Sequence, residues 1–270
     1  MPELPEVETT RRGISPLVVG RRVETVLVRQ PKLRWLISPD LSQSLTGQQI
    51  TGVGRRGKYL FLETGTGRVM IHLGMSGSLR VLKHSAKISK HDHVDILLND
   101  NSLLRYRDPR RFGSIFWLPG QEGHELIDFL GLEPLEADFD TAYLYEQSRG
   151  RRVAIKVFIM NNRVVVGVGN IYANEALFRS GIRPDRAAGS VSKSRYVNLV
   201  GAIKDVLTEA IGSGGTSLKD FVREDGSPGY FEQSLMVYGR GGINCLQCHR
   251  KLKEIRLGQR TTVFCTRCQR

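Results

Sequence analysis

The residue with the most chemistry to offer is Pro2, in the opening run Met1-Pro2-Glu3-Leu4-Pro5-Glu6. Removal of Met1 would leave its ring nitrogen as a free secondary amine. A terminal amine has a reference pKa of about 8 against about 10.4 for lysine, so at pH 7 roughly a tenth is unprotonated, where lysine offers well under a thousandth. Such an amine attacks an aldehyde-like carbon with no base or metal to activate it, and the iminium that forms is an electron sink of the kind a lysine Schiff base provides. From Pro2 alone a plainer reading also stands, that it promotes Met1 removal and starts a stiff N-terminus.

Four cysteines make the second constellation. Cys245-Leu246-Gln247-Cys248 and Cys265-Thr266-Arg267-Cys268 are two CxxC knuckles separated by residues 249–264. That spacing can bring four thiolates to one tetrahedral Zn(II), and four protein ligands leave no position for water or substrate, so one structural zinc per chain is expected. A redox dithiol pair is the alternative that the spacing disfavours, and His249 reads as a bystander. Between the knuckles, Lys253 to Leu257 and Thr261 to Phe264 read as strands joined through Gly258-Gln259-Arg260, with Arg260 near the hairpin tip. Arg250, Lys251, Lys253, Arg256, Arg267 and Arg270 share this ribbon with Glu254 as its sole acid, a balance that points to nucleic acid. Arg260 by itself could also be a solvated turn residue.

Two glycine motifs invite nucleotide chemistry and do not complete it. Gly52 to Lys58 fits GxxxxGK, but Tyr59 stands where a phosphate loop needs Ser or Thr and a strand follows instead of a helix, which rejects a nucleotide triphosphatase. Gly167-Val168-Gly169-Asn170 is a lone GxG and no dinucleotide fingerprint. Glycines before a helix can still present N–H groups to a phosphate, or they can simply turn the chain. His72, His91 and His93 fall on strands without a thiolate or carboxylate cluster to complete a metal site.

The elements that must carry these residues divide along the chain. Up to about Leu132 there are short β-rich runs at Val23 to Arg29, Lys58 to Glu63, Arg68 to His72, Ser78 to Lys83, His93 to Leu98, Ser102 to Arg107 and Gly113 to Leu118. Gly65-Thr66-Gly67 and Asn99-Asp100-Asn101 look like hairpin tips, so a β-sandwich or barrel is the natural closure. One helix precedes the sheet, with Pro5 and Glu6 in its first turn and Gly13 as its stop. Residues 133–140 read as a linker. Beyond it, helices are expected at Thr141 to Gln147, Arg152 to Met160, Asn170 to Arg179 and Ser192 to Ile211, the last with an apolar stripe from Tyr196 to Ile211. A glycine-rich stretch from Gly212 to Gly229 is long and loose enough to be a functional loop.

The 270 residues hold 40 Lys and Arg against 27 Asp and Glu, a net charge of +13. Such a surplus implies a polyanionic partner, and nucleic acid leads. No apolar run reaches the roughly 18 residues of a membrane span, and the first residues lack the basic and apolar regions of a signal peptide, so a cytoplasmic protein without structural disulfides is expected.

The full set of motifs resembles the bacterial formamidopyrimidine-DNA glycosylases, which excise oxidised purines and cleave the abasic site. The matching runs span the chain: MPELPEVETTRRG, GRRGKYL, HLGMSGSLR, HDHVD, YRDPRRFG, VVGVGNIYANEALF, GGTSLKDF, YGR and GQRTTVFCTRCQ. The resemblance implies an α+β multidomain fold. Its parts are an N-terminal β-sandwich domain with flanking helices over residues 1–132, the linker, a helix-two-turns-helix domain over 141–237, and a zinc-ribbon hairpin over 238–270. It implies that Pro2 is the Schiff-base nucleophile and Glu3 the general acid, with Glu6 positioning the N-terminus. Lys58, His72, Asn170 and Arg260 would grip phosphates around an extruded nucleotide, and Lys58 and Arg260 are also candidate proton donors for the eliminations. His91 and His93 would be further DNA contacts. Met75, Arg110 and Phe112 would enter the duplex where the lesion leaves, while Lys219, with Thr216 and Ser217, would lie in a lesion-capping loop.

The partner so implied is double-stranded DNA containing oxidised purines or abasic sites, bound by a monomer. Two rivals share parts of the pattern. A related oxidised-pyrimidine glycosylase would keep Pro2, Glu3 and the ribbon, but the MPELPEVE start, the Arg110-Arg111-Phe112 run and the capping loop favour the purine enzyme. A noncatalytic DNA-binding zinc-ribbon protein would use the same basic surface.

Overall fold

The structure, a computed structural model, describes residues 2–120, 123–215 and 235–270. The chain divides into two compact units, one formed by Met1–Asp128 with the segment beginning at Ser213, the other by Phe129–Gly212 with the segment ending at Arg270. None of the described helices is long and apolar enough to cross a membrane.

The first unit opens on α1 (Leu4–Val18), for which Glu3 is the N-cap. Glu3 and Glu6 form a capping box, and the Glu3 backbone N–H donates to Glu6 Oε2 at 2.8 Å. The helix runs past Gly13, where the sequence suggested a stop, and past Pro16. A mid-helix glycine costs about 1 kcal/mol relative to alanine, whereas burying an aliphatic side chain stabilises by about 1.5–3 kcal/mol. Ile14 and Val18 beyond the glycine are both fully buried, so packing decides the length.

After α1 come β1 (Val23–Val28), α2 (Leu41–Leu45), β2 (Ile50–Arg56), β3 (Tyr59–Thr64), β4 (Gly67–His72), β5 (Ser78–Lys83), β6 (Asp92–Leu98), β7 (Ser102–Arg107), β8 (Ser114–Pro119) and the short α3 (Glu125–Asp128). They make two antiparallel sheets, ordered β1-β6-β7-β5 and β2-β3-β4-β8. In the first, Val26 pairs with Ile96, Ile96 with Leu104 and Leu104 with Val81; in the second, Val53 pairs with Leu62, Leu62 with Val69 and Val69 with Trp117. Both rows enter one core together with Val7, Ile14 and Val18 of α1, which makes the unit a sandwich. The opposite face of the second sheet carries Phe61, Met70 and Leu118, and Leu126 and Ile127 of α3 cover it.

Strand β2 was not expected, because its glycines 52 and 54 and its two arginines hide the strand pattern inside GxxxxGK. That motif is β2 from Gly52 to Arg56, the turn at Gly57 with φ of +56°, and Lys58, which leads into β3. The two other expected turns are present, Gly65-Thr66 between β3 and β4 and Asn99 to Asn101 between β6 and β7, where Asn101 takes φ of +62°.

The second unit contains α4 (Thr141–Ser148), α5 (Ile155–Ile159), α6 (Asn170–Arg179), α7 (Lys193–Gly212), β9 (Lys253–Leu257) and β10 (Arg260–Phe264). The helix expected from Arg152 starts only at Ile155, because the preceding backbone bonds to another segment: Ala188 N–H donates to Val153 O and Ile155 N–H to Arg186 O. Asp140 caps α4 by accepting from Tyr143 N at 2.7 Å. The ribbon hairpin turns through two residues, Gly258 and Gln259, with φ of +51° and +61°, so Arg260 is the first residue of β10 rather than part of the turn. Phe178 of α6 packs with Val237, Leu252, Val263, Cys245 and Cys265 in the core of the ribbon.

What fixes α1 against the second sheet is Glu8. Its carboxylate accepts from Arg11 and Arg12 of its own helix and from Arg55 Nε of β2 at 3.0 Å. Burial alone would raise this carboxyl, but Arg11, Arg12 and Arg55 together hold it down at about 2. A depressed carboxyl stabilises the fold above its unfolded pKa and loses that contribution as pH falls through the folded one. Glu8→Gln is therefore expected to cost about 2–3 kcal/mol at pH 7, with the difference from wild type vanishing between pH 4.5 and 2. Urea unfolding across that range checks it, and a constant difference would remove Glu8 from this role.

Candidate nucleic-acid interface and metal centre

In the first unit Met75, His91, Arg110 and Phe112 lie on three loops held by one buried carboxylate. Asp108, fully buried, accepts at Oδ1 from Ser76 Oγ (2.7 Å) and at Oδ2 from Gly113 N (2.9 Å) and Tyr106 OH (3.3 Å). Ser76 Oγ in turn accepts from Arg110 N at 3.1 Å. The turn carrying Met75 is thereby tied to the loop carrying Arg110 and Phe112. Asp108 also uses its backbone, donating from N to His91 O and accepting at O from His93 Nε2 at 2.8 Å. Glycines make this approach possible. A Cβ on Gly74, which has φ of +64°, would lie 2.5 Å from the backbone of Phe112 and Gly113.

Exposure differs among these residues. Phe112 is 44% exposed and the Arg110 guanidinium stacks over its ring at 4.8 Å, while Met75 is half-buried. His91 is half-buried. His93 is buried with Nε2 committed to the Asp108 carbonyl, which puts it behind the surface rather than on it.

His72 lies at the end of β4, its ring tilted against Tyr59 at 4.8 Å. Nδ1 accepts from Gly74 N at 3.1 Å, so the ring proton sits on Nε2. Burial first, then the positive charges of Lys58 and Arg34, press its pKa down to about 4 against a weaker opposing pull from Asp108. His72 is thus a neutral donor through Nε2–H, suited to an anion without carrying charge. Arg34, exposed on the loop before α2, donates its backbone N–H to Gly113 O and was missed from the sequence because no motif marks it.

Pro2 and Glu3 are buried at the start of α1, with Glu6 completing the capping box. Gly215 lies beside Glu6: a Cβ there would sit 3.4 Å from its Cγ. Thr216, Ser217 and Lys219, and the rest of the expected capping loop to Gly229, lie outside the described residues, as does Met1.

In the second unit, Asn170 opens α6 after the GxG turn. Its Oδ1 accepts from Lys156 Nζ at 2.6 Å, leaving its amide N–H groups as the donors for an outside anion. Lys156 is fully buried and donates also to Thr261 O (3.0 Å) and Thr262 Oγ1 (2.7 Å), so one ammonium fixes Asn170 and the strand residue next to the exposed Arg260. Asn174, one turn on, accepts from Val263 N at 2.9 Å, and the Glu175 carboxylate accepts from the backbone N–H groups of Met236, Val237 and Tyr238. Sequence reading saw helical residues at 156, 174 and 175; a buried polar residue in a helical pattern gives no sign of its partner.

The four cysteines converge as the spacing requires. Their Sγ atoms lie within 4.8 Å of one another, with Cys248 to Cys265 at 3.4 Å and Cys245 to Cys268 at 3.9 Å. A tetrahedron with Zn–S bonds of about 2.3 Å has edges of about 3.8 Å, so the cluster fits zinc and all four positions are filled by protein. His249 takes no part in the cluster; it turns the first knuckle at φ of +60°.

A two-sheet sandwich, a helical unit and a four-thiolate ribbon define a DNA-binding protein with a structural zinc finger. Residues 1–115 match the formamidopyrimidine-DNA glycosylase N-terminal domain, 130–222 the formamidopyrimidine-DNA glycosylase H2TH domain and 242–270 the zinc finger found in FPG and IleRS. The chain belongs to the formamidopyrimidine-DNA glycosylase family. It is 57% identical over 270 residues to the formamidopyrimidine-DNA glycosylase of Stutzerimonas stutzeri (strain A1501), covering 100% of both chains. Among solved structures it is similar to the MutM (FPG) protein of Thermus thermophilus, with a TM-score of 0.90, 36% identity and coverage of 99% of this chain and 98% of that one. It is likewise similar to Lactococcus lactis FPG in complex with Fapy-dG-containing DNA, with a TM-score of 0.91, 33% identity and coverage of 99% and 100%.

Two predictions test the geometry. Asp108→Ala removes the acceptor of the Ser76 hydroxyl and of the Gly113 N–H and leaves the Tyr106 hydroxyl only the His72 carbonyl, and is expected to cost about 2–4 kcal/mol in urea unfolding; a loss under about 0.5 kcal/mol would show that the loops are held otherwise. Imidazole nitrogen resonances of His72 are expected to report a protonated Nε2 and bare Nδ1 from about pH 5 to 8, with titration centred near 4. A midpoint above about 6, close to that of an unperturbed histidine, would contradict its placement.

Proposed function

We propose that the protein is a base-excision repair enzyme that acts on oxidised purines in duplex DNA and then nicks the abasic site. The observation that carries this reading is Pro2, buried at the start of α1 with Glu3 capping the helix beside it, in a chain of this family. With Met1 removed, the Pro2 nitrogen is a secondary amine of which a fraction is the free base at pH 7. Its lone pair attacks C1′ of the damaged nucleotide, the glycosidic bond breaks with its electrons leaving on the base, and the sugar ring opens to an iminium as Glu3 delivers a proton to the ring oxygen. The iminium then accepts electrons as the C2′ proton leaves, expelling the 3′ phosphate; a second elimination expels the 5′ phosphate.

Met75, Phe112 and Arg110 fit the tasks of filling the gap, wedging a base step and facing the orphaned cytosine. Extruding a base costs a few kcal/mol, and an apolar wedge is the ordinary means of recovering it. Lys58 and neutral His72 in one unit, and Asn170 and Arg260 in the other, supply phosphate donors, with Lys58 and Arg260 as candidate proton donors for the eliminations. Lys219 belongs to the same reading as a lesion-side contact. The protein acts as a cytoplasmic monomer on this reading, and the zinc is structural.

Borohydride trapping on an 8-oxoguanine duplex tests it. Wild type is expected to give a covalent complex, and Pro2→Gly and protein retaining Met1 to lose most of it. Absence of a wild-type adduct would leave a noncatalytic DNA-binding protein. A preference for thymine glycol over 8-oxoguanine in side-by-side cleavage would reassign the substrate to oxidised pyrimidines.

A further inference from the structure

The face of the first sheet turned away from the core is not a neutral surface. Since side chains alternate across a strand, the residues interleaved with Leu79, Val81, Val94, Ile96, Leu104 and Tyr106 fall on that face, and they build a basic cleft of about 170 Å³. Arg80, Lys87, Arg105 and Arg107 line it against one carboxylate, Asp92.

These charges have different commitments. Arg105, buried, donates from Nε and Nη2 to the two oxygens of Asp95 at 2.8 Å each, and from Nη1 to Lys87 O at 2.8 Å. Asp92 lies 3.3 Å from Arg105 Nη1 and 3.5 Å from Arg107 Nη1, and accepts from Ser89 N at 2.7 Å. Arg105 and Asp92 are therefore the frame. Arg107, its side chain 41% exposed and held by that single long contact, and the exposed Lys87 are the cations that can reach a ligand.

The cleft also continues the DNA-facing loops. Ser78 at its edge follows Met75 by three residues, Arg107 precedes Arg110 by three, and Ser89 precedes His91 by two. Three residues of chain span at most about 10 Å, and a duplex rises by that distance in about three base steps of about 3.4 Å each.

We propose that this cleft is a phosphate site, filled by a backbone phosphate of the duplex a few base steps from the extruded nucleotide, with Arg107 and Lys87 as its ligands. The proposal rests on the reading of the protein as a duplex-DNA enzyme. It adds two cations to the interface that contact DNA independently of the damage.

The test uses the full-length protein and an undamaged duplex, following affinity against salt concentration. Each lost phosphate contact lowers the slope of log K against log salt by about 0.9. Arg107→Ala and Lys87→Ala are each expected to lower its magnitude by about 0.9 and the double variant by about 1.8. Arg22→Ala, an exposed cation elsewhere on the same unit, should leave it unchanged. A wild-type slope in the double variant, or an equal drop in Arg22→Ala, would overturn the proposal. In a second arm inorganic phosphate competes at constant ionic strength. It should weaken duplex binding by wild type more than by the double variant. Phosphate that binds wild type but not the double variant, and leaves duplex affinity unchanged, would make the cleft a free-phosphate site and overturn its assignment to DNA. Loss of excision in wild type with the slope differences intact would strike the enzymatic reading alone.

Discussion

The carboxylate of Asp108 is the constraint on which the first unit's interface depends. A buried carboxylate without hydrogen bonds is costly enough that the chain must surround it with donors, and here the donors come from the segments whose relative placement matters: Ser76 beside Met75, Gly113 beside Phe112, and Tyr106 at the end of β7. Because Ser76 also accepts from the Arg110 backbone, the ties close into a loop of bonds rather than a chain. Burial and the neighbouring Asp108 push the Tyr106 phenol well above its usual pKa, so it remains a donor at any pH the protein meets. Exposed loops are ordinarily the least precise part of a fold. Here they are placed by a group in the fold's interior.

The second unit follows the same rule with the sign reversed. Lys156 is a buried cation, and among its acceptors are Asn170 on α6 and Thr261 and Thr262 on β10. Asn174 and Glu175, on the same helix, bond backbone N–H groups of the ribbon and of the segment leading to it. The helix that bears Asn170 is therefore also the mount for the zinc ribbon, and the thiolates need only hold the knuckles. Zinc and polar bonds have separate work: one closes the ribbon on itself, the others set where Arg260 begins its strand.

Strands with clear alternation and the long helix α7 were legible in the sequence to within a residue or two, since the burial that shapes them is the burial their pattern encodes. The cysteine cluster was legible because thiolate spacing is set by a metal's geometry and little else. β2 was not, because glycine and arginine carry no strand signal and its place in the sheet comes from its pairing with β3. The end of α1 was misjudged at Gly13 for a similar reason, the buried Ile14 and Val18 beyond it outweighing a local preference. At the site, the residues facing outward could be named from the resemblance, while those that hold them, Asp108, Lys156, Asn174 and Glu175, could not. A buried polar group acquires its meaning only from partners distant in sequence, and composition does not reveal them.

That asymmetry bears on how a chain of net charge +13 keeps its cations useful. Self-repulsion would spread mobile arginines over the surface, and solvated side chains bind an anion at a cost in rotamer entropy. The buried acids counter both effects. Glu8 gathers Arg11, Arg12 and Arg55; Asp95 holds Arg29 and Arg105, whose pull keeps its carboxyl below the usual range despite burial; Asp92 lies between Arg105 and Arg107. Each acid neutralises inner guanidinium groups and makes them a scaffold. The charge left over is borne by side chains at the edge of those clusters, such as Arg107, whose stems are positioned by neighbours while their heads reach solvent. A smaller net charge, evenly solvated, would attract a polyanion less well than this arrangement, in which the acids determine where the surplus appears.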